Sequence, residues 1–277
     1  MPLIEIVLVT KIDNVSGATA IPIPPGPAGD LILIFAEGEE VVQTGAISFG
    51  TPAGYNALWS INPFSFHATA AFTKIAGASE PNPTTFVTTP GAVDVFFFAL
   101  RISGQDLVTP VDAEANIQTC TTCTNNPASG AVTIDDANGA AIYMICAEGL
   151  GFFNGSGINR TPTAPIGFSE IAQQPALSGT FFVQGRLFRK DVDAPLGAFG
   201  AVTPTAPIDP TSASRVTGLV PVNLATPPSG GGGGMGGDNP AILEPGRELI
   251  QRGQKILNPF GTKKRHCMCP VGNCTCI

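Results

Sequence analysis

The residues with the most pointed chemistry lie near the C-terminus. Cys267, Cys269, Cys274 and Cys276 fall within ten residues, directly after His266. Two C-x-C pairs four residues apart place four thiols within reach of one tetrahedral Zn²⁺, although structural zinc sites more often use C-x2–4-C spacing. The same thiols can pair as disulfides within or between subunits once the surroundings become oxidising. Lys263, Lys264 and Arg265 precede them, and nearby positive charge favours the thiolate, the form that reacts and binds metal. The pattern defines a local clasp and leaves both chemistries open.

The rest of the chain offers little for catalysis. Seven cysteines are an odd number, so they cannot all pair within one chain. Cys120-x-x-Cys123 lies in a Thr-rich stretch read as a loop, with no helix to activate a thiol, which points to a loop disulfide or a chance pair. Cys146 falls in an expected strand. The histidines are His67 and His266 alone, and no Gly-x-Ser-x-Gly elbow is present. His67 closes Pro63-Phe64-Ser65-Phe66-His67 and reads as a strand or loop histidine. Glu39 and Glu40 are adjacent, so in a strand they point to opposite faces and do not form a carboxylate pair. The glycines of 149–155 have the wrong spacing for a dinucleotide loop, and Asp135-Asp136-Ala137-Asn138-Gly139 lacks the distal Glu of a calcium loop. No catalytic or cofactor-binding residues are assigned, and the chain reads as a non-enzyme.

The elements that must carry these residues follow from composition. Charged residues make up 13% of the chain and hydrophobic ones 43%, with 33 Gly and 26 Pro. Disorder needs the opposite balance, so most of the chain is expected to fold. Apolar runs punctuated by turn residues predict strands at Leu3–Val9, Ala18–Ile23, Leu31–Ala36, Ala57–Ile61, Ala70–Ile75 and Ala92–Ile102. Further strands are expected at Ala131–Ile134, Ala140–Cys146, Thr180–Phe188 and Val216–Leu224. Asn138-Gly139 predicts a hairpin joining two of them. Some ten to thirteen short strands give an all-β class, a β-sandwich or jelly-roll-like domain over 1–228.

A Gly-rich linker follows at 229–237, then a basic tail at 238–277 with a short helix and the Cys-rich end. Leu249, Ile250, Ile256 and Leu257 make one apolar stripe on that helix, which is too short to be stable alone and is expected to dock. Charge divides at the linker: residues 1–237 carry 18 acids and 8 bases, and 238–277 carry three acids and six bases. The stripe and the Lys263-Lys264-Arg265 run are therefore the expected interaction elements. No secretory leader is seen, and no apolar run approaches 18 residues, so a membrane span is not expected. So few surface charges favour self-association, and nothing predicts specific nucleic-acid binding.

Three phrases stand in order along the first hundred residues: Pro25-Gly26-Pro27-Ala28-Gly29-Asp30-Leu31-Ile32-Leu33-Ile34-Phe35, then Thr51-Pro52-Ala53-Gly54-Tyr55, then Phe72-Thr73-Lys74-Ile75-Ala76-Gly77-Ala78-Ser79-Glu80-Pro81. This order resembles a β-sandwich module of virion and tail-fibre-like proteins of tailed bacteriophages and prophages. Tyr55 stands where that module more usually has Trp. The resemblance implies a virion structural protein made in the host cytoplasm: a capsid decoration or cement subunit, or a tail or fibre component. Its implied partners are capsid or tail subunits and other copies of itself. The alternative is a carbohydrate-binding adhesin that uses Tyr55 and Trp59, expected exposed, to stack on host-surface glycans.

Overall fold

A computed structural model describes residues 4–13, 17–40, 47–64, 67–88, 93–111, 116–123, 132–134, 140–149, 164–174, 183–191, 196–199 and 213–223, all within the unit Met1–Ser229. In chain order the strands are β1 (Ile4–Asp13), β2 (Gly17–Ala20), β3 (Leu31–Glu40), β4 (Ser48–Phe49) and β5 (Asn56–Phe64). Next come β6 (His67–Ile75), β7 (Thr84–Thr88), β8 (Val93–Ile102), β9 (Asn116–Cys123) and β10 (Val132–Ile134). The last five are β11 (Ala140–Gly149), β12 (Ser169–Gln174), β13 (Val183–Asp191), β14 (Leu196–Phe199) and β15 (Ala213–Val222). The described residues contain no helix, so the all-β expectation holds for them.

Two five-stranded sheets dominate, ordered β1-β8-β3-β6-β5 and β12-β13-β11-β15-β9. A three-stranded sheet, β2-β7-β4, and a two-stranded one, β10-β14, complete the set, and every pairing is antiparallel. In the first large sheet β3 is central, with Leu31 level with Ile102 of β8 and Ile75 of β6.

Strand alternation sorts the β3 side chains into two cores. Leu31, Leu33 and Phe35 join Phe96, Phe98, Leu100 and Ile102 of β8, and these pack with Leu187 of β13 and Val220 and Val222 of β15. That cluster unites the facing surfaces of the two large sheets. Ile32, Ile34 and Ala36 join Val95, Phe97 and Ala99 on the other face, where Ile21, Ile47, Phe49 and Tyr55 cover them. Residues 31–38 are consequently all buried. The unbroken apolar runs of β3 and β8 exist because both of their faces are covered, as in the inner strands of any layered sheet. Aromatic rings fill both layers in edge-on geometry: Phe96 and Phe98 lie 5.2 Å apart at 66°, and Phe49 and Phe97 lie 6.0 Å apart at 71°.

Several expectations are corrected. The Asn138-Gly139 hairpin is not made: β10 pairs with β14, while β11 is flanked by β13 and β15. Nine paired positions with β13 and ten with β15 outcompete what a three-residue β10 could offer. Cys120 and Cys123 lie in β9, an edge strand on β15, and not in a loop. The run Thr119-Cys120-Thr121-Thr122-Cys123 looks polar, but β-branched threonine suits a half-covered pleat. The strands absent from the sequence reading, β4, β7, β9, β12 and β14, are short or carry few large apolar residues.

The two large sheets approach closely at Gly185 of β13. A β-carbon there would overlap the Phe96 ring and crowd Phe98. Adding a methyl to a strand glycine with room around it is harmless or stabilising. Here Gly185→Ala is expected to destabilise the fold by about 1–3 kcal/mol through overpacking, read as a lower midpoint of urea unfolding. An unchanged midpoint would contradict the described sheet separation.

Candidate functional site

The most unusual chemistry of the described residues is inside the core. Glu37 of β3 and His67 and Thr69 of β6 are all fully buried. Glu37 and Thr69 sit opposite each other in the ladder, with His67 two positions along on the same face. Thr69 Oγ1 donates to Glu37 Oε1 at 2.5 Å, and Glu37 Oε2 accepts from His67 Nε2 at 2.8 Å. Trp59 Nε1 of β5 donates to Thr69 Oγ1 at 3.2 Å. The chain Trp59, Thr69, Glu37, His67 ties β3, β5 and β6 together, and the Trp59 ring lies 5.9 Å from that of Phe35.

A hydroxyl, an imidazole and a carboxylate side by side invite comparison with a nucleophilic triad. The bonding order differs. A triad needs the hydroxyl on the imidazole and the imidazole on the carboxylate. Here the Thr69 hydroxyl hydrogen goes to the carboxylate, and no atom of the three groups reaches solvent. The arrangement gives the buried carboxyl its hydrogen-bond partners, which is the condition for tolerating it there.

A second cluster lies at the strand ends where β3 begins. Gly29, with φ of +92°, makes the left-handed turn that delivers Asp30 into the core. Arg101 Nε of β8 donates to Asp30 Oδ2 at 2.7 Å, and Ser103 Oγ donates to Asp30 Oδ1 at 2.8 Å. The same guanidinium reaches the carbonyls of Pro24, at 3.0 Å, and Pro27. Backbone bonds from Gly29 N to Ala76 O, 2.9 Å, and from Ala76 N to Asp30 O, 2.7 Å, stitch this loop to the end of β6.

Beside it, Lys74 Nζ donates to Glu80 Oε2 at 2.7 Å and lies 5.5 Å over the Tyr55 ring, while Glu80 Oε1 accepts from Gly77 N. Burial pushes the Glu80 carboxyl up, but the bonds from Lys74 and Gly77, with the charges of Lys74 and Arg101, outweigh it and hold the group below its usual value. Tyr55 is pushed well up, first by burial and then by Glu80, against Arg101, so its phenol stays neutral.

The three phrases that stand in order along the first hundred residues therefore meet in space. Asp30 comes from the first, Tyr55 from the second, and Lys74, Ala76 and Glu80 from the third. The sequence marked Asp30 as a turn into the core and Glu80 as a strand stop. It gave no sign of Arg101 as the hub, because a single arginine ending an apolar strand has no motif.

Tyr55 and Trp59 are corrected as glycan-stacking residues. They are only 7% and 5% exposed, because Tyr55 packs under the first sheet and Trp59 between the two large sheets. Neither ring offers a face to a sugar. His67 is a strand histidine, now with a buried partner. Cys267, Cys269, Cys274 and Cys276, together with Leu249, Ile250, Ile256, Leu257, Lys263, Lys264 and Arg265, lie outside the described residues, as do Asp135–Gly139. Among the described residues no group of three or more His, Cys, Asp or Glu is placed to hold a metal ion, and no helix is long and apolar enough to cross a membrane. Comparison with protein-family models, with curated proteins and with solved structures finds no match.

Two outcomes test the clamp. Arg101→Met leaves Asp30 buried without its partner and is expected to lower stability by about 3–5 kcal/mol, whereas Asp30→Asn combined with Arg101→Met costs less than Arg101→Met alone. Thermal melting of the three variants checks the order. For Glu80 the folded value is depressed, so its stabilisation is complete above the ordinary 4.5 of the unfolded chain and fades as pH falls through the folded value. The stability gap between the native chain and Glu80→Gln should be open at pH 7 and closed in strong acid, and a pH-independent gap would exclude the ionic contribution.

Proposed function

We propose that this chain is a virion structural protein of a tailed bacteriophage: a capsid decoration or cement subunit, or a tail or fibre component, anchored through residues 238–277. We read its two large sheets as a β-sandwich of jelly-roll-like class. The observation that carries this is the convergence of the three resembling phrases on the Asp30–Arg101 clamp. Their polar groups hold loops and strand ends in place. What the chain shares with phage virion proteins is then a way of folding a body, which is what a structural subunit needs.

Two further observations support a non-catalytic role. The buried Glu37, His67 and Thr69 are bonded in an order that serves packing and not proton transfer. The charge difference between 1–237 and 238–277 gives the tail a different kind of partner from the body. The adhesin alternative loses the two rings that motivated it.

The test is incorporation. Phage particles assembled with the chain lacking 238–277 should lack the protein after a salt wash, while the isolated body keeps a β-type circular dichroism spectrum. Changing Cys267, Cys269, Cys274 and Cys276 together to Ser should weaken retention without unfolding the body. Full retention of the truncated chain would sink the anchoring role, and selective binding on a glycan array would move the reading to the adhesin.

A further inference from the structure

Glu37 and Thr69 hold a carboxyl group and an alcohol together where water does not reach. They sit directly opposite each other inside the β3–β6 ladder of nine paired positions, so strand pairing itself fixes their approach. Both are fully buried, as is His67. On its other side Glu37 is level with Phe96 of β8. Alternation puts Glu37 on the face of β3 that carries Phe35, in the apolar layer that also holds Trp59 and Phe96.

The direction of the hydrogen bonds matters. A threonine hydroxyl has one hydrogen and two lone pairs. Trp59 Nε1–H takes one lone pair of Thr69 Oγ1, at 3.2 Å, and the hydroxyl hydrogen goes to Glu37 Oε1, at 2.5 Å. The second lone pair remains to form a bond. A carboxyl C–O bond of about 1.2 Å then keeps Glu37 Cδ within about 3.7 Å of Oγ1. Reacting atoms poised for attack stand about 3–3.5 Å apart. His67 Nε2 lies 2.8 Å from the other carboxyl oxygen, Oε2. The imidazole is thus on the oxygen that a condensation would expel, and takes nothing from the hydroxyl that attacks. That order fails a triad working on an outside substrate. It is the order that joining these two side chains requires.

An alcohol and a carboxylic acid condense with little net driving force, and water reverses the reaction. Two features of this site change the balance. Well-oriented groups in one molecule react as if at effective concentrations on the order of 10⁵–10⁸ M. Burial removes the water that would hydrolyse the product. Condensation also eliminates a carboxyl group whose charge is costly to keep inside an apolar layer.

We propose that Glu37 and Thr69 become joined by a side-chain ester, a covalent cross-link between β3 and β6 that the chain makes in itself. The hydrogen-bonded pair is the reactant state. The bond formed is Thr69 Oγ1 to Glu37 Cδ, and the bond broken is Glu37 Cδ to Oε2. The expelled oxygen carries away the Thr69 hydroxyl hydrogen and the proton shared by Glu37 and His67. One water leaves and His67 ends neutral. No oxidant, cofactor or second substrate is consumed. The ester closes a covalent ring across a separation of 32 residues, which restricts the unfolded chain as a disulfide does. The inference does not depend on the virion reading, since it concerns the isolated protein.

Peptide mapping of the full chain tests it. Trypsin has no site between Lys11 and Lys74, so it leaves both residues in one peptide. Chymotrypsin cuts after Phe35, Phe49, Phe66 and Phe72, which puts Glu37 in 36–49 and Thr69 in 67–72. A chymotryptic digest of the folded, aged and then denatured chain should contain these two peptides joined, lighter by one water than their sum. Hydroxylamine cleaves esters and spares amides, so it should split the pair and leave a hydroxamate at Glu37. Thr69→Val removes the hydroxyl and should abolish the joined species, whereas Thr69→Ser should keep it. If Thr69→Val fails to fold, the digest of the native chain decides alone. Separate, unmodified peptides from the native chain after prolonged incubation overturn the proposal. A joined species that survives hydroxylamine, or that persists in Thr69→Val, overturns it equally.

Discussion

Double-sided burial of the inner strands of the first large sheet is the constraint from which the rest follows. A strand covered on one face can alternate apolar and polar residues, but β3 over 31–38 and β8 over 95–102 have no solvent face to which a polar side chain could turn. Every position must be apolar, or polar with a partner waiting in the ladder. Leu31 to Ala36 and Val95 to Leu100 take the first course. Glu37 takes the second, with Thr69 directly opposite and His67 one same-face position along the neighbouring strand. Its carboxylate is tolerable only because two donors reach it inside the sheet that buries it.

The same constraint shapes the ends of the sheet. Where β3 enters the core, the preceding loop brings carbonyls and a carboxylate with it, and none of these can be left bare in an apolar layer. Arg101 answers this with one planar group that binds a carboxylate and two carbonyls at once, which a lysine ammonium would not do with the same fixed geometry. The outer layer is tied in by the same logic. Ser60 Oγ donates to Phe49 O at 2.8 Å and Asn62 Nδ2 to Ile47 O at 2.9 Å, so two polar residues of edge strand β5 hold the strand that covers it.

The sequence reading reached the apolar strands, edge strands β1 and β5 among them, and missed the short or polar ones, for a physical reason. Burial on both faces writes itself as an unbroken apolar run, so β3 and β8 were legible from Leu31-Ile32-Leu33-Ile34-Phe35 and Phe96-Phe97-Phe98. Edge strands such as β9 and β12 are covered on fewer sides, and their Thr, Ser and Gln residues resemble those of loops. Pairing was less legible still. Asn138-Gly139 is a local signal, but partner choice for β11 was decided by β13 and β15, which lie far along the chain. The aromatic residues misled for a related reason. Trp59 has the composition of a sugar platform and the position of a core residue, and only the β5–β6 pairing, with Trp59 level with Ala71, shows which face it takes. Arg101 was illegible because its three partners come from a loop more than seventy residues earlier.

The double-sided pairing of β15 has a mechanical meaning. Asn223 follows β15, a ten-residue strand hydrogen-bonded on one side to β11 and on the other to β9. A force applied to the chain beyond Asn223 enters along the axis of β15. The ladders on its two flanks then carry the load in shear, many bonds together, and do not unzip one bond at a time. The Asn223 bonds to the loop 106–110 take up the first part of that load.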